Sequence, residues 1–267
     1  MTAFVRPRRL DAPALRLAVI HHAGGSAAAY FPLHRGLPDD WDLLLLDLPG
    51  RGKRHGEAPS ADMAELVDRA VEDLLPWSGS APLALFGHSL GSVVAFEVAH
   101  ALEDRGVPVA WVGVSGRPGP KSPVPAPRLD PALPDEELLH GLARLGGLPS
   151  LFHEHPDLRH RFLGLIRADL RALGTYRPDP LRRPLSAHLT AFGAVDDPLA
   201  PPDSLNAWAG ETAGEFGRRL LPGGHFHFLS DSFTRFTRLL TAEIRTRVPS
   251  SPTEQPSAAA GSARTAV

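Results

Sequence analysis

Residues 83–91 read Leu83-Ala84-Leu85-Phe86-Gly87-His88-Ser89-Leu90-Gly91, and this stretch decides the fold. Its four opening apolar residues predict a buried strand. The apolar positions that follow, Val93, Val94, Phe96 to Ala99 and Leu102, predict a helix that Gly106 can end. Between strand and helix stands the pattern G-x-S-x-G. Such a turn must be sharp enough to lift the Ser89 hydroxyl above the sheet, in a strained backbone, with small residues on both flanks so that neighbouring backbone can pass close by. The pentapeptide alone is common. In this context it points to a nucleophilic serine, with a helix-capping Ser89 as the plain alternative.

Working outward, residues 17–20, 43–46, 109–114, 188–192 and 216–221 also predict strands. Most are continuous apolar runs rather than alternating ones, as expected where both faces of a parallel sheet are covered. Met63, Leu66, Val67, Ala70, Val71, Leu74 and Leu75 form one helical face, and Asp62 suits the positive end of its dipole. Phe233, Phe236, Leu240 and Ile244 make a third helical stripe near the end. Strands alternating with helices imply a doubly wound α/β domain with right-handed crossovers. Residues 117–134 carry seven prolines, a density that no helix interior or central strand tolerates, so this segment is a linker. Beyond it, 135–145 and 156–173 read as helices, which makes 120–182 a mostly helical insertion. Residues 1–248 thus form a single domain, and the Ser-, Ala-, Thr- and Pro-rich 249–267 is expected to be a disordered tail.

Composition narrows the function. The chain has 267 residues, 43% of them hydrophobic, ample for a sizeable core. A net charge of −2 offers no broad basic field, which argues against nucleic-acid binding as the main activity. There is no cysteine, so disulfides, thiolate metal sites and a cysteine nucleophile are excluded. Glycine (25 residues) and proline (28) make up about a fifth of the chain, and most of them fall in turns, the linker and the tail. Neither an export signal nor a bilayer-spanning apolar run is evident, so the expectation is a cytoplasmic protein with no membrane contact.

A serine hydroxyl needs a base, and the base needs a carboxylate to orient it. In strand–elbow–helix hydrolases the order along the chain is serine, acid, histidine. His225, in Pro222-Gly223-Gly224-His225-Phe226, follows a short strand and precedes the last helix, where the base should stand; His227 reads as a wall or helix-start residue. For the acid, Asp196 and Asp197 follow the strand ending at Phe192. Pro198 fixes the chain just beyond Asp197 and favours it, with Asp196 as the alternative. The oxyanion donors expected are the backbone N–H groups of Leu90, at the helix start, and of Ala23, in the loop His21-His22-Ala23-Gly24-Gly25-Ser26.

Weaker signals are read as structure. His153, His155 and His160 do not share one helix face and lack a completing carboxylate or thiolate set, so no metal site is expected. Glu97 is read as a structural residue hydrogen-bonded to backbone. Arg51, Lys53, Arg54 and His55 form a basic run that could steer an acidic partner or simply be a solvated loop.

Five motifs in order, His22-Ala23-Gly24-Gly25-Ser26, Leu48-Pro49-Gly50-Arg51-Gly52, Phe86 to Gly91, Ala95-Phe96-Glu97 and Gly223-Gly224-His225-Phe226, resemble the type II thioesterases of polyketide and nonribosomal peptide pathways. The resemblance spans roughly residues 15–245. It implies an α/β-hydrolase fold with a mainly parallel central sheet, flanking helices and a helical lid formed by 120–182. It favours Asp197 as the acid. Leu90 stands where methionine is common in the family and His21 where proline is, and neither touches the chemistry. The implied activity is hydrolysis of acyl or aminoacyl thioesters held on the phosphopantetheine of acyl or peptidyl carrier proteins, removing stalled or aberrant intermediates. No metal or resident cofactor is implied, and a monomer is expected. Alternatives are a product-releasing thioesterase, a general carboxylesterase and a non-catalytic binding protein of the same fold. Leu139, Leu142, Leu145, Leu148, Leu151 and Phe152 of the lid are expected to line an acyl channel.

Overall fold

The computed structural model describes residues 3–123, 129–148, 156–229 and 232–248. Seven strands form one sheet in the order β1-β3-β2-β4-β5-β6-β7. They are β1 (Phe4–Val5), β2 (Leu15–Ile20), β3 (Trp41–Leu46), β4 (Leu83–His88), β5 (Trp111–Ser115), β6 (His188–Ala194) and β7 (Phe216–Leu221). All pairings are parallel except β1 with β3. The helices are α1 (Met63–Leu74), α2 (Leu90–Asp104), α3 (Asp135–Arg144), α4 (Pro156–Thr175) and α5 (Phe233–Arg247).

Every residue of β2, β3, β4 and β5 is buried, the reason these strands read as continuous apolar runs. Alternate side chains serve opposite faces. Ala18, Ile20, Leu44, Leu46 and Leu85 pack with α1 and α2. Leu17, Val19, Leu43, Leu45 and Phe86 pack with α5 and with the short 3-10 segment Ala27–Arg35. Asp62 caps α1, its carboxylate accepting the Glu65 N–H at 3.1 Å.

Three details depart from the sequence expectation. Strand β2 begins two residues early and includes Arg16, which is buried because it lies in register with Asp42 of β3, their charged groups 3.6 Å apart. Leu75 leaves the α1 face and is exposed, since Pro76 cannot extend the helical hydrogen-bond ladder. Strand β1 has only two residues, too few for any periodicity to reveal. The expected insertion supplies α3 and α4 between β5 and β6, whose Leu138, Leu139, Leu142, Leu163 and Ile166 form a small core of their own. The expected disordered tail, and Leu151, Phe152, His153 and His155, lie outside the described residues; His160 is exposed on α4. Among the described residues no helix is long and apolar enough to cross a membrane.

The strand order positions the site. From β2 the chain passes to β3 on one side and returns to β4 on the other. The segments leaving β2 and β4 therefore diverge at their carboxyl ends and open a crevice, the usual ligand position in an open parallel sheet. Ile20 at the end of β2 is in register with Gly87 of the elbow, so residues 21–26 and Ser89 face each other across that crevice.

Candidate active site

Ser89 lies between β4 and α2 with φ 55° and ψ −112°, the one non-glycine residue of positive φ among the described residues. Such a conformation costs on the order of 1–3 kcal/mol and persists only where its surroundings over-determine it. They do so here. The Ser89 N–H donates to Ser115 O at 2.8 Å. Ser92 Oγ, one helical turn on, lies 2.9 Å from Gly87 O and 2.7 Å from Ser115 O, and accepts the Ser115 N–H at 2.9 Å. The two glycines of the motif are there for close approach: a Cβ on Gly87 would overlap the Gly91 carbonyl, and one on Gly91 would overlap Ile20 O and stand 2.7 Å from His21 O. These obstacles are backbone and cannot swing away. Gly91→Ala is accordingly expected to destabilise the protein by about 3 kcal/mol or more, the upper end of overpacking costs, read as a lower urea midpoint; an unchanged midpoint would contradict the packing described.

His225 and Asp197 are both buried, with His225 Nδ1 2.9 Å from Asp197 Oδ2. Asp197 Oδ1 accepts the N–H groups of Leu199 (2.9 Å) and Ala200 (3.3 Å), so the carboxylate is fixed by donors on both oxygens. Asp196 points away into solvent. The reason is continued pairing beyond β6 and β7: Val195 N–H donates to Leu221 O and Asp196 N–H to Gly223 O, both at 3.0 Å, before the chain turns Asp197 inward.

On the other wall, the Gly25 N–H closes a turn onto His22 O at 2.9 Å and the Gly24 N–H donates to Asp169 Oδ2 of α4 at 2.7 Å. The Ala23 N–H takes part in neither bond. Leu90 is the first residue of α2, where backbone N–H groups have no partner within the helix. Ser89, Ala23, His22, His225 and Phe226 line one cavity of about 340 Å3, whose far walls are Leu129, Leu142, Leu145, Ile166, Leu170 and Leu173. Of the leucines expected to form a channel, Leu142 and Leu145 line it, while Leu139 packs within the α3–α4 core and Leu148 against it.

Histidines crowd beneath the site. The His88 ring lies 4.8 Å from that of His225, tilted by 43°, and its Nδ1 approaches Ser115 Oγ at 3.0 Å. His227 is buried edge-on to His88 and forms a wall. His21 accepts the Leu48 N–H at Nε2, which makes Nδ1 its donor to His22 O at 2.8 Å. Burial pushes His21 and His88 well below the ordinary histidine range, His22 to about 3, and both His100 and His227 to about 4. The unfolded chain takes up protons near pH 6.5 that these rings refuse when folded. The stability these neutral rings contribute is therefore present above the ordinary histidine pKa of about 6.5 and is lost as pH falls below it. Denaturant unfolding should accordingly show a lower stability at pH 5 than at pH 7; equal values would contradict neutral burial.

One expectation is corrected, for Glu97, and one is narrowed, for the basic run. Within the basic run only Arg51 departs from the expected solvated segment, while Lys53 and His55 are exposed. Arg51 is buried against Asp169, Lys53 Nζ donates to Phe4 O at 2.9 Å, and Arg54 pairs with Glu57 (2.7 Å) and Asp73 (2.8 Å). Glu97 bonds side chains rather than backbone, accepting from Tyr176 Oη at 2.8 Å and from Arg182. Sequence reasoning missed Ser92, Ser115, Arg51 and Asp169. Two of them left a signal: Arg51 stands in the motif Leu48-Pro49-Gly50-Arg51-Gly52, and Asp169 interrupts the apolar face of α4 between Ile166 and Leu173. Among the described residues no group of three or more His, Cys, Asp or Glu could hold a metal ion.

This sheet, with a strained serine between strand and helix facing a histidine–aspartate pair, defines an α/β hydrolase. The chain belongs to the thioesterase family, whose domain model ("Thioesterase domain") matches residues 15–244, and it is thereby a serine hydrolase acting on thioesters. It is 31% identical to the gramicidin S biosynthesis protein GrsT of Aneurinibacillus migulanus, over 91% of this chain and 93% of that one. Among solved structures it resembles the RedJ thioesterase of the prodiginine pathway of Streptomyces coelicolor, with TM-score 0.80 and 37% identity over 87% of this chain and 91% of that one. The type II thioesterase BorB of the borrelidin cluster is similar too, with TM-score 0.79 and 31% identity over 92% and 97% of the two chains.

Proposed function

We propose that this protein hydrolyses acyl and aminoacyl groups from the phosphopantetheine thiol of acyl or peptidyl carrier proteins in a polyketide or nonribosomal peptide pathway, clearing stalled or aberrant intermediates. The observation that carries this reading is the placement of Ser89 and the Asp197-held His225 in one cavity with apolar far walls, in a chain whose relatives serve such pathways.

In this reading Asp197 holds the Nδ1–H tautomer of His225, so the Nε2 lone pair can accept the Ser89 proton. Ser89 Oγ attacks the thioester carbonyl. The Ala23 and Leu90 N–H groups hold the oxyanion, the C–S bond breaks, and the pantetheine thiol leaves with the proton from His225. His225 then deprotonates a water, which attacks the acyl-Ser89 ester and releases the acid, returning the proton to Ser89. The α3–α4 segment serves as the lid over the acyl group. The sequence of steps asks for no metal or resident cofactor.

The test is turnover of a panel of acyl-carrier proteins against p-nitrophenyl esters of the same acids. Higher kcat/KM on the carrier-bound thioesters is expected. Equal or better turnover of the simple esters would favour a general carboxylesterase, and a sharp preference for one full-length chain would favour product release.

A further inference from the structure

The geometry points to Asp169 as a positioning residue: from α4 it sets the oxyanion loop, so that the Ala23 donor is placed only while this helix is seated against the loop. The inference deepens the thioesterase reading above and rests on it.

Asp169 is fully buried, and three donors converge on its carboxylate. The Gly24 N–H and Arg51 Nη1 reach Oδ2 at 2.7 and 2.6 Å, and Arg51 Nη2 reaches Oδ1 at 2.9 Å. Arg51 is buried as well, and its Nε and Nη2 donate to Pro49 O, both at 3.2 Å. Three segments distant in the chain thus meet at one ion pair: the loop after β2, the loop after β3, and α4. A buried pair of this kind contributes little net stability compared with apolar residues of similar size, which directs attention to what it holds in place.

What it holds is a peptide next to the donor. A trans peptide places its N–H opposite its carbonyl. His22 O is fixed from one side by the Gly25 N–H and by His21 Nδ1, which aims the Ala23 N–H to the other side. The following peptide, whose N–H belongs to Gly24, is fixed from outside the loop by Asp169. With one peptide held within the loop and the next held by α4, Ala23 has little freedom to rotate. Contact between helix and loop is tight: Gly24 has φ 74°, and a Cβ on it would stand 2.7 Å from Phe162 and 2.8 Å from Ile166 of α4.

An oxyanion donor acts on charge that develops in the transition state, so its misplacement lowers kcat rather than raising KM. Removing Asp169 alone would strand a buried Arg51, so the test uses paired variants. Arg51→Met/Asp169→Leu removes the charges and the acceptor together; it should remain folded by circular dichroism and keep its KM. Its kcat on an acyl-carrier thioester should fall roughly 10²-fold, comparable to loss of one oxyanion donor. Arg51→Met/Asp169→Asn returns an acceptor for Gly24 without the charge, and should recover most of that loss. Inhibition by a trifluoromethyl ketone analogue of the acyl-pantetheine, which forms a tetrahedral oxyanion on Ser89, should weaken in step with kcat/KM. Equal kcat in the two double variants, or a loss confined to KM, would overturn the assignment. A wild type inert towards every carrier thioester would instead overturn the thioesterase reading. The rate of Ser89 labelling by a fluorophosphonate then still compares the two double variants.

Discussion

Replacing Ser89 by alanine is expected to lower kcat on acyl-carrier thioesters by about 10⁴–10⁶-fold, with the fold intact. The loss is chemical because alanine keeps the Cβ. The strained backbone at φ 55° and the hydrogen bond from the residue 89 N–H to Ser115 O are unaffected. Only Oγ is removed, and with it the acyl-enzyme route. The remaining oxyanion donors and binding groups sustain on the order of 10³–10⁴-fold acceleration over water, which is why the fall stops short of the uncatalysed rate. Thiol release measured on one carrier substrate, with circular dichroism alongside, checks both halves. Half-retained turnover would refute the mechanism, and loss of fold would refute the account of the elbow.

Asp197→Asn is expected to cost about 10⁴-fold in kcat, and Asp196→Asn almost nothing. Asp197 presents acceptors only: one oxygen to His225 Nδ1, the other to the N–H groups of Leu199 and Ala200. An asparagine must turn its amide NH2 to one side or the other. Facing His225, it stabilises the tautomer whose Nε2 carries the proton and cannot act as a base. Facing Leu199 and Ala200, it opposes donor to donor and loosens the loop. Asp196 is exposed and touches neither, so its amide is tolerated. Parallel kcat measurements on the two variants decide the matter; a crippled Asp196→Asn would overturn the geometry.

The parts of this site differ in how far they could be read along the chain. Ser89 was legible because its constraint is local: a strand, two glycines, a serine and a helix in nine residues demand a sharp turn whatever else the protein does. His225 was legible by order and by its Gly-Gly loop. Spacing left Asp196 and Asp197 side by side and Pro198 favoured Asp197; what turns the first outward and the second in is one more backbone bond beyond β6 and β7. Arg51 is the sharpest contrast. Within its own segment it belongs to a basic run on a loop. In the molecule it is buried, because Asp169 arrives from a helix far along the chain.

Local patterning by itself determined the strands other than β1, the main helices, the elbow and the candidate chemistry. Backbone sterics and hydrophobic period act over a few residues, and the chain states them directly. Tertiary structure alone decided which leucines line the cavity, and that the oxyanion loop is braced by Arg51 and Asp169. Those outcomes depend on strand order and on helix docking, which bring distant segments within hydrogen-bond reach. No stretch of sequence carries the position of its future neighbour.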